Sequence, residues 1–189
     1  MLRSSPWPHL IVDGFLTPDV LAQAQTELQS HSYEFDVEPR GSGRIEFSLL
    51  QSATLWRAIY SIRTLSLLSD AFNCDIGDVA LNKHNMLQLR RMNDRTPDFP
   101  LHNDFTSDAD TIASFLYISP GWSPEYGGCL HLFSSDRQDT PSISIEPLEN
   151  RFLAFRTESS HWHSVEKVAG GWERLSVLAL WNLDGSEES

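Results

Sequence analysis

The second half of the chain is a series of short segments with the length and composition of β-strands, and this pattern constrains the fold most. Apolar and β-branched residues dominate these segments, and turn residues separate them. The segments are residues 85–91, 111–118, 129–133, 142–145, 151–155, 163–168 and 175–181. Many short antiparallel strands of this kind predict a jelly roll or a related barrel.

The first half of the chain has helical spacing instead. Thr17, Pro18 and Asp19 are typical of a helix start, because they supply a capping hydroxyl, a first-turn proline and an acidic group near the positive end of the helix dipole. Apolar residues then recur at helical intervals up to residue 28 and again over residues 55–72. Residues 33–47 contain one proline and two glycines, and we predict a loop there.

These patterns predict a single domain over residues 1–189 that is mainly β with flanking α-helices. Residues 1–80 are expected to form a helical N-terminal support layer, and residues 81–183 the β core. Residues 184–189 are polar and are expected to form a flexible tail.

Composition and charge disfavour several classes of partner. The net charge is −12, so the chain should be repelled by nucleic-acid phosphates and by anionic membrane surfaces. No apolar run is long enough to cross a bilayer, and the first residues lack the apolar stretch of a signal peptide. The two cysteines, Cys74 and Cys129, lie far apart and are expected to be reduced thiols. We therefore expect a cytoplasmic protein.

The segment His102-Asn103-Asp104 is the strongest chemical signal. On an extended segment, two side chains one residue apart point to the same side. The imidazole of His102 and the carboxylate of Asp104 could then reach one divalent first-row metal ion.

A second segment carries two more histidines, His161 and His163. They share one side of a strand, so the spacing allows either of them to be a third metal ligand. Two histidines and one carboxylate form the facial triad of non-haem iron(II) oxygenases, which leaves positions open for a co-substrate and dioxygen. Arg174 and Ser176 follow on one face of the next strand, where a guanidinium and a hydroxyl could bind a carboxylate.

With these motifs, the chain resembles the prolyl-4-hydroxylase-like branch of the 2-oxoglutarate/iron(II) dioxygenase superfamily. The matching pieces are spread over most of the sequence: residues 8–16, 102–104, 115–118, 125–130, 147–155, 163–165 and 174–176. The resemblance implies a double-stranded β-helix (jelly-roll) core and an enzyme that uses iron(II), 2-oxoglutarate and O2. It also implies that His102, Asp104 and His163 form the catalytic metal site, since the distance to Arg174 favours His163 over His161.

The resemblance further implies that Arg174 pairs with the far carboxylate of 2-oxoglutarate, with Ser176 or Tyr117 as helpers. Candidate substrate contacts are Gln88 and Arg90, which share a face of a predicted strand, Trp122 in a proline-flanked loop, and His161.

The expected function is hydroxylation of an aliphatic carbon of a small molecule, such as an amino acid or a biosynthetic intermediate. One alternative is a protein hydroxylase of the prolyl type with the same chemistry. An alternative of another class is a non-catalytic, cupin-like protein that binds a metal or senses 2-oxoglutarate.

Overall fold

The computed structural model describes residues 1–40, 43–76, 87–107 and 110–183. Within these ranges the chain forms three α-helices and two antiparallel β-sheets. The helices are α1 (Pro18–Ser30), α2 (Ala53–Ile59) and α3 (Ile62–Phe72). The strands are β1 (Leu2–Arg3), β2 (His9–Asp13), β3 (Asp36–Arg40), β4 (Gly43–Leu49), β5 (Gln88–Met92), β6 (Phe99–His102), β7 (Thr111–Tyr117), β8 (Leu130–Phe133), β9 (Ile143–Ile145), β10 (Arg151–Arg156), β11 (Trp162–Val165) and β12 (Arg174–Asn182).

The larger sheet has eight strands in the order β1-β2-β10-β7-β12-β5-β4-β3, and the smaller has four in the order β6-β11-β8-β9. Buried side chains such as Ile11, Leu153 and Leu178 of the large sheet pack against Leu130 and Leu132 of the small sheet. This sandwich of two sheets is the core of a double-stranded β-helix. The predicted mainly β fold with flanking helices is therefore confirmed.

The helices cover the outer face of the large sheet, where Ala24, Leu55 and Leu68 join one core cluster with Leu116 and Val177. Burial of these apolar faces supplies the main driving force for docking the helices. None of the helices in the described parts of the chain is long and apolar enough to cross a bilayer.

A polar contact also joins α1 to α2. Glu27 of α1 accepts hydrogen bonds from the Ser52 hydroxyl (2.6 Å) and from the Thr54 backbone N–H (3.3 Å). The Ser52 hydroxyl in turn accepts a bond from the Leu55 N–H at 3.1 Å and so caps the start of α2. One carboxylate thereby fixes the relative position of two helices.

The predicted loop over residues 33–47 is wrong, because β3 and β4 form an antiparallel hairpin there. The proline that suggested a loop, Pro39, lies in β3, which is the edge strand of the large sheet. An edge strand tolerates proline since one side of its backbone needs no partner. In the described part of residues 1–80, four strands of the large sheet thus accompany the three helices. The predicted tail at 184–189 and the start of the predicted strand 85–91 lie outside the described residues.

Two adjacent glycines form a tight turn before β8. Gly127 has φ +61° and ψ −143°, a backbone conformation that is open essentially to glycine alone. A Cβ atom on Gly127 would lie 2.5 Å from the backbone oxygen of Lys167, so a side chain there also has no room. At Gly128 (φ +75°), a Cβ would lie 3.2 Å from Cδ of Arg174.

We predict that Gly127→Ala destabilises the protein by about 3 kcal/mol, because backbone strain and a backbone clash add up. Gly121→Ala is the matched control: Gly121 also has positive φ (+69°), but a Cβ there meets nothing within 4 Å. The control should lose only about 1–2 kcal/mol. Urea unfolding measures both values. Equal losses of unfolding free energy in the two variants would contradict the prediction, because the contact at Gly127 would then add nothing to the backbone strain.

Candidate active site

The candidate metal ligands are brought together by β6 and β11, which are neighbouring strands of the small sheet. His102 is the last residue of β6, and it pairs in register with His163 of β11. Asp104 follows β6 by two residues. The ligand atoms of His102, Asp104 and His163 all lie within 4.8 Å of one another. Within the described ranges this is the one group of three or more potential metal ligands.

The two histidines differ in exposure from the carboxylate between them. His163 is buried, and His102 is half-buried with 24% of its side chain exposed. Asp104 is more open, with 39% of its side chain exposed. The Nε2 atoms of His102 and His163 lie 3.6 and 3.3 Å from the two oxygens of Asp104. The group therefore sits at a mouth that leads from solvent into the space between the sheets.

Hydrogen bonds fix the orientation of both imidazole rings. The Nδ1–H of His102 donates to the Pro100 carbonyl at 2.7 Å, and the Nδ1–H of His163 donates to the His161 carbonyl at 3.0 Å. In a neutral imidazole, a donor at Nδ1 leaves a lone pair at Nε2. Two lone pairs then face a carboxylate that can only accept. Three acceptors in close contact repel one another unless a cation lies between them, so this donor set fits a divalent metal ion.

Electrostatic interactions keep His102 and Asp104 in the protonation states that a metal requires. Burial and the neighbouring His163 lower the pKa of His102 to about 4, so its ring is neutral at pH 7. Burial opposes ionisation of Asp104, but the imidazolium forms of His163 and His102, together with Arg90, outweigh burial and hold the pKa of this carboxyl well below its usual range. Neutral imidazole and ionised carboxylate are the forms that bind metals.

The opposite wall of the same pocket comes from the large sheet. Arg174 and Ser176 lie at the start of β12, and Ser176 pairs in register with Tyr117 of β7. All three side chains are buried. The guanidinium of Arg174 lies over the Tyr117 ring at 4.9 Å, and its Nη2 donates to the Tyr117 hydroxyl at 3.4 Å. Burial raises the pKa of Tyr117, which keeps its hydroxyl a donor.

Two polar atoms of this wall have no hydrogen-bond partner among the described residues. They are Nε of Arg174 and the hydroxyl oxygen of Ser176, and both are buried. Unpaired buried polar groups cost free energy, so such groups normally serve a ligand or water. A guanidinium and a hydroxyl that point into one pocket fit a bound carboxylate.

Apolar side chains that the sequence analysis did not single out form the rest of the wall. They are Met92, Phe99, Phe115, Leu130 and Val165. The alternation of side chains along a strand could have identified three of them, because Met92 lies two residues from Arg90, Phe115 two from Tyr117 and Val165 two from His163. Glu46 and Arg91 also line the pocket and form an ion pair with 2.9 Å between Arg91 Nη2 and Glu46 Oε2.

The four candidate substrate residues have different positions. Arg90 lines the pocket, and its Nη2 donates to Oε1 of Gln88 at 3.4 Å. Gln88 is not part of the pocket lining. Trp122 is also outside the pocket, and its indole N–H donates to the Gly127 carbonyl at 2.8 Å, so it packs against its own loop.

His161 also lies outside the pocket and outside the group of potential metal ligands. Its ring is 4% exposed, its Nδ1–H donates to the Arg156 carbonyl at 2.7 Å, and its plane stacks on Trp7. Of the two histidines that the spacing left open, His163 is the one that faces His102 and Asp104.

Comparison with known proteins agrees with this arrangement. The family model of the 2OG-Fe(II) oxygenase superfamily matches residues 87–182, which contain every residue of the pocket lining except Glu46. The prolyl 3-hydroxylase sudestada1 of Drosophila melanogaster is 31% identical over 97 residues, which amount to 46% of this chain and 18% of that protein.

Solved structures show the same fold at low sequence identity. A prolyl-4-hydroxylase from Pseudomonas putida superposes with a TM-score of 0.66 at 18% identity, covering 93% of this chain and 91% of that one. The non-haem α-ketoglutarate-dependent epimerase SnoN from nogalamycin biosynthesis has a TM-score of 0.65 at 15% identity, covering 92% of this chain and 76% of that one.

Members of this family use iron(II), 2-oxoglutarate and O2, and the alternative of a non-catalytic, cupin-like protein is set aside. With a matched segment that spans half of its length, the chain belongs to the 2OG-Fe(II) oxygenase superfamily, and its fold is the one seen in a prolyl-4-hydroxylase.

Proposed function

We propose that this dioxygenase hydroxylates an aliphatic carbon of a small molecule, such as a free amino acid, while 2-oxoglutarate and O2 become succinate and CO2. His102, Asp104 and His163 would hold iron(II). The observation that carries this assignment is the close approach of two imidazole lone pairs to an ionised carboxylate, with 3.3 and 3.6 Å between the atoms. A cytoplasmic location stays a prediction.

The residues of the pocket would have different roles in this reaction. Iron(II) with 2-oxoglutarate supplies, when bound, the oxidant that replaces a C–H hydrogen by a hydroxyl group. Three ligands on one side leave the other side open for the co-substrate and for O2. Arg174 would bind the far carboxylate of 2-oxoglutarate with its planar fork, and Ser176 and Tyr117 would add hydroxyl hydrogen bonds. The apolar walls keep bulk water away from the reacting atoms.

The preference for a small molecule is supported by the charged side chains of the pocket. Arg90, Arg91 and Glu46 line it together, so the wall presents groups of both signs. A zwitterion such as a free amino acid complements such a wall better than the neutral backbone of a peptide does. Arg90 would be the substrate contact among the residues that the sequence suggested. Gln88 would act by holding Arg90, through their 3.4 Å hydrogen bond.

A second candidate is hydroxylation of a prolyl side chain in a protein. The observation that favours it is the similarity to proteins named prolyl hydroxylases, from both Drosophila melanogaster and Pseudomonas putida. The chemistry at the metal would be the same, and only the group presented at the mouth of the pocket would differ.

We expect the anaerobic protein with iron(II) and 2-oxoglutarate to show the visible charge-transfer band of the chelate. Asp104→Ala and His163→Ala should lose the band, because each removes one of three metal ligands. His131→Gln is the matched control: His131 lies on β8, outside the ligand group and outside the pocket lining, so this variant should keep the band. A titration by absorption spectroscopy tests this. A band of full strength in His163→Ala would exclude the proposed ligand set.

We expect Arg174→Lys to raise the KM for 2-oxoglutarate by about 10- to 100-fold, since an ammonium cannot form the two parallel bonds of the guanidinium fork. Ser176→Ala removes one hydroxyl bond, worth about 1 kcal/mol, and should raise KM several-fold. Ser114→Ala is the matched control, because Ser114 is a buried serine on β7 that donates to the Ala179 carbonyl outside the pocket. Succinate release at varied 2-oxoglutarate gives the three values. An unchanged KM in Arg174→Lys would remove Arg174 from the co-substrate site.

The substrate class can be tested with matched pairs. Each of the twenty amino acids is offered free and as its N-acetyl amide, together with a proline-containing peptide blocked at both ends. A free amino acid should stimulate succinate release more than its blocked form, because blocking removes both charges. Stimulation by the blocked prolyl peptide alone would establish the second candidate instead.

A further inference from the structure

The back of the His163 ring is enclosed by a closed circle of contacts among four buried side chains: His163, Phe155, Trp7 and His161. The rings of Phe155 and His163 are 5.1 Å apart, and those of Trp7 and Phe155 are 5.2 Å apart. Trp7 stacks on His161 at 4.5 Å with 19° between the planes. The His161 carbonyl closes the circle, because it accepts the Nδ1–H of His163 at 3.0 Å.

His161 controls where this carbonyl lies. Its ring is anchored on one edge by the bond to the Arg156 carbonyl (2.7 Å) and on one face by Trp7. The backbone N–H of His161 also donates to the Glu158 carbonyl at 2.9 Å. Residue 161 is thus held from three directions. The carbonyl that selects the tautomer of His163 therefore has one fixed position.

Trp7 holds the circle from the N-terminal part of the chain. It is 5% exposed, and its indole N–H donates to the Phe133 carbonyl of β8 at 3.0 Å. It contacts both Phe155 and His161, two of the residues that touch His163. Trp7 lies outside residues 87–182, the segment that the family model matches.

The other histidine of the site makes the same kind of Nδ1–H bond, to a carbonyl two residues earlier, but the packing around its ring differs. The partner of His102 Nδ1 is the carbonyl of Pro100, two residues away on the same strand. Its ring meets Phe99 of that strand at 4.3 Å between centroids. Local geometry of β6 therefore suffices for His102, whereas His163 depends on an element far away in sequence.

We propose that Trp7 and His161 are positioning residues that fix the direction in which His163 presents its Nε2 lone pair to the metal. They act through the His161 carbonyl and through the Phe155 ring, and neither touches the metal. This inference rests on the proposed role of His163 as an iron ligand.

The test measures binding of the metal alone, with Co(II) as a spectroscopic substitute for iron(II). We expect Trp7→Leu and His161→Ala to weaken Co(II) binding about 10-fold, the lower end of the loss seen when the partner of a metal-bound histidine is removed, because the carbonyl stays and only its support is lost. Trp7→Phe keeps an aromatic face for His161 and Phe155, and it should recover most of the affinity.

Phe15→Ala is the matched control. Phe15 is 6% exposed and stacks on Phe152 at 4.4 Å with 13° between the planes, in the core cluster on the helical side of the large sheet. Its removal should lower the melting temperature and leave the affinity for Co(II) unchanged. If Phe15→Ala weakens Co(II) binding as much as Trp7→Leu does, the effect is general and the positioning role is excluded.

A second measurement needs no metal and no activity. Long-range 1H–15N spectra of the imidazole rings report the tautomer of each histidine, and the wild type should show His163 protonated at Nδ1. His161→Ala and Trp7→Leu should show a mixture of His163 tautomers, while His102 stays protonated at Nδ1. An unchanged His163 signal together with wild-type Co(II) affinity overturns the inference. Wild-type Co(II) affinity in His163→Ala instead overturns the proposed ligand set, and the inference with it.

Discussion

The close contact of three hydrogen-bond acceptors is the interaction on which the rest of this site depends. The Nε2 atoms of His163 and His102 lie 3.3 and 3.6 Å from the carboxylate oxygens of Asp104. Both rings donate their Nδ1 protons to backbone carbonyls, so Nε2 is an acceptor in each. Without a cation this arrangement costs free energy, so the surrounding fold must hold it in place. The register between β6 and β11 and the buried packing around His163 supply that restraint.

The two sheets have separate tasks in this arrangement. The small sheet carries the histidines, and the large sheet carries the guanidinium and hydroxyls on the opposite wall. A ligand with a metal-chelating end and a distant carboxylate matches the space between them. Both histidines lie on strands of the small sheet, and Arg174, Ser176 and Tyr117 lie on strands of the large sheet. The distance between these two groups is therefore set by how the sheets pack.

The metal-binding residues and the arginine of the opposite wall could be predicted from the sequence, because the period-two spacing of a strand is a local signal. His102 and Asp104, and Arg174 and Ser176, are spaced so that a strand places each pair on one face. The hairpin of β3 and β4 was missed because proline and glycine favour loops, and only the position of β3 at the edge of the large sheet makes the proline acceptable in a strand. Glu46 was missed with it, since a residue in a presumed loop has no predictable neighbour. Trp7 could not be predicted at all: its contacts with Phe155 and His161 depend on tertiary packing that no local pattern records.

The glycine pair before β8 connects this segment with the wall of the pocket that carries Arg174. A Cβ on Gly127 would lie 2.5 Å from the Lys167 backbone oxygen, whereas a Cβ on Gly128 would lie 3.1 Å from Cγ2 of Val168 and 3.2 Å from Cδ of Arg174. The two neighbours therefore restrict the chain in different ways. A side chain at residue 127 would press on fixed backbone and oppose folding of this segment itself. A side chain at residue 128 would press on the flexible stem of Arg174, so a change there would reach the opposite wall of the pocket through the guanidinium, although the two residues lie far apart in the sequence.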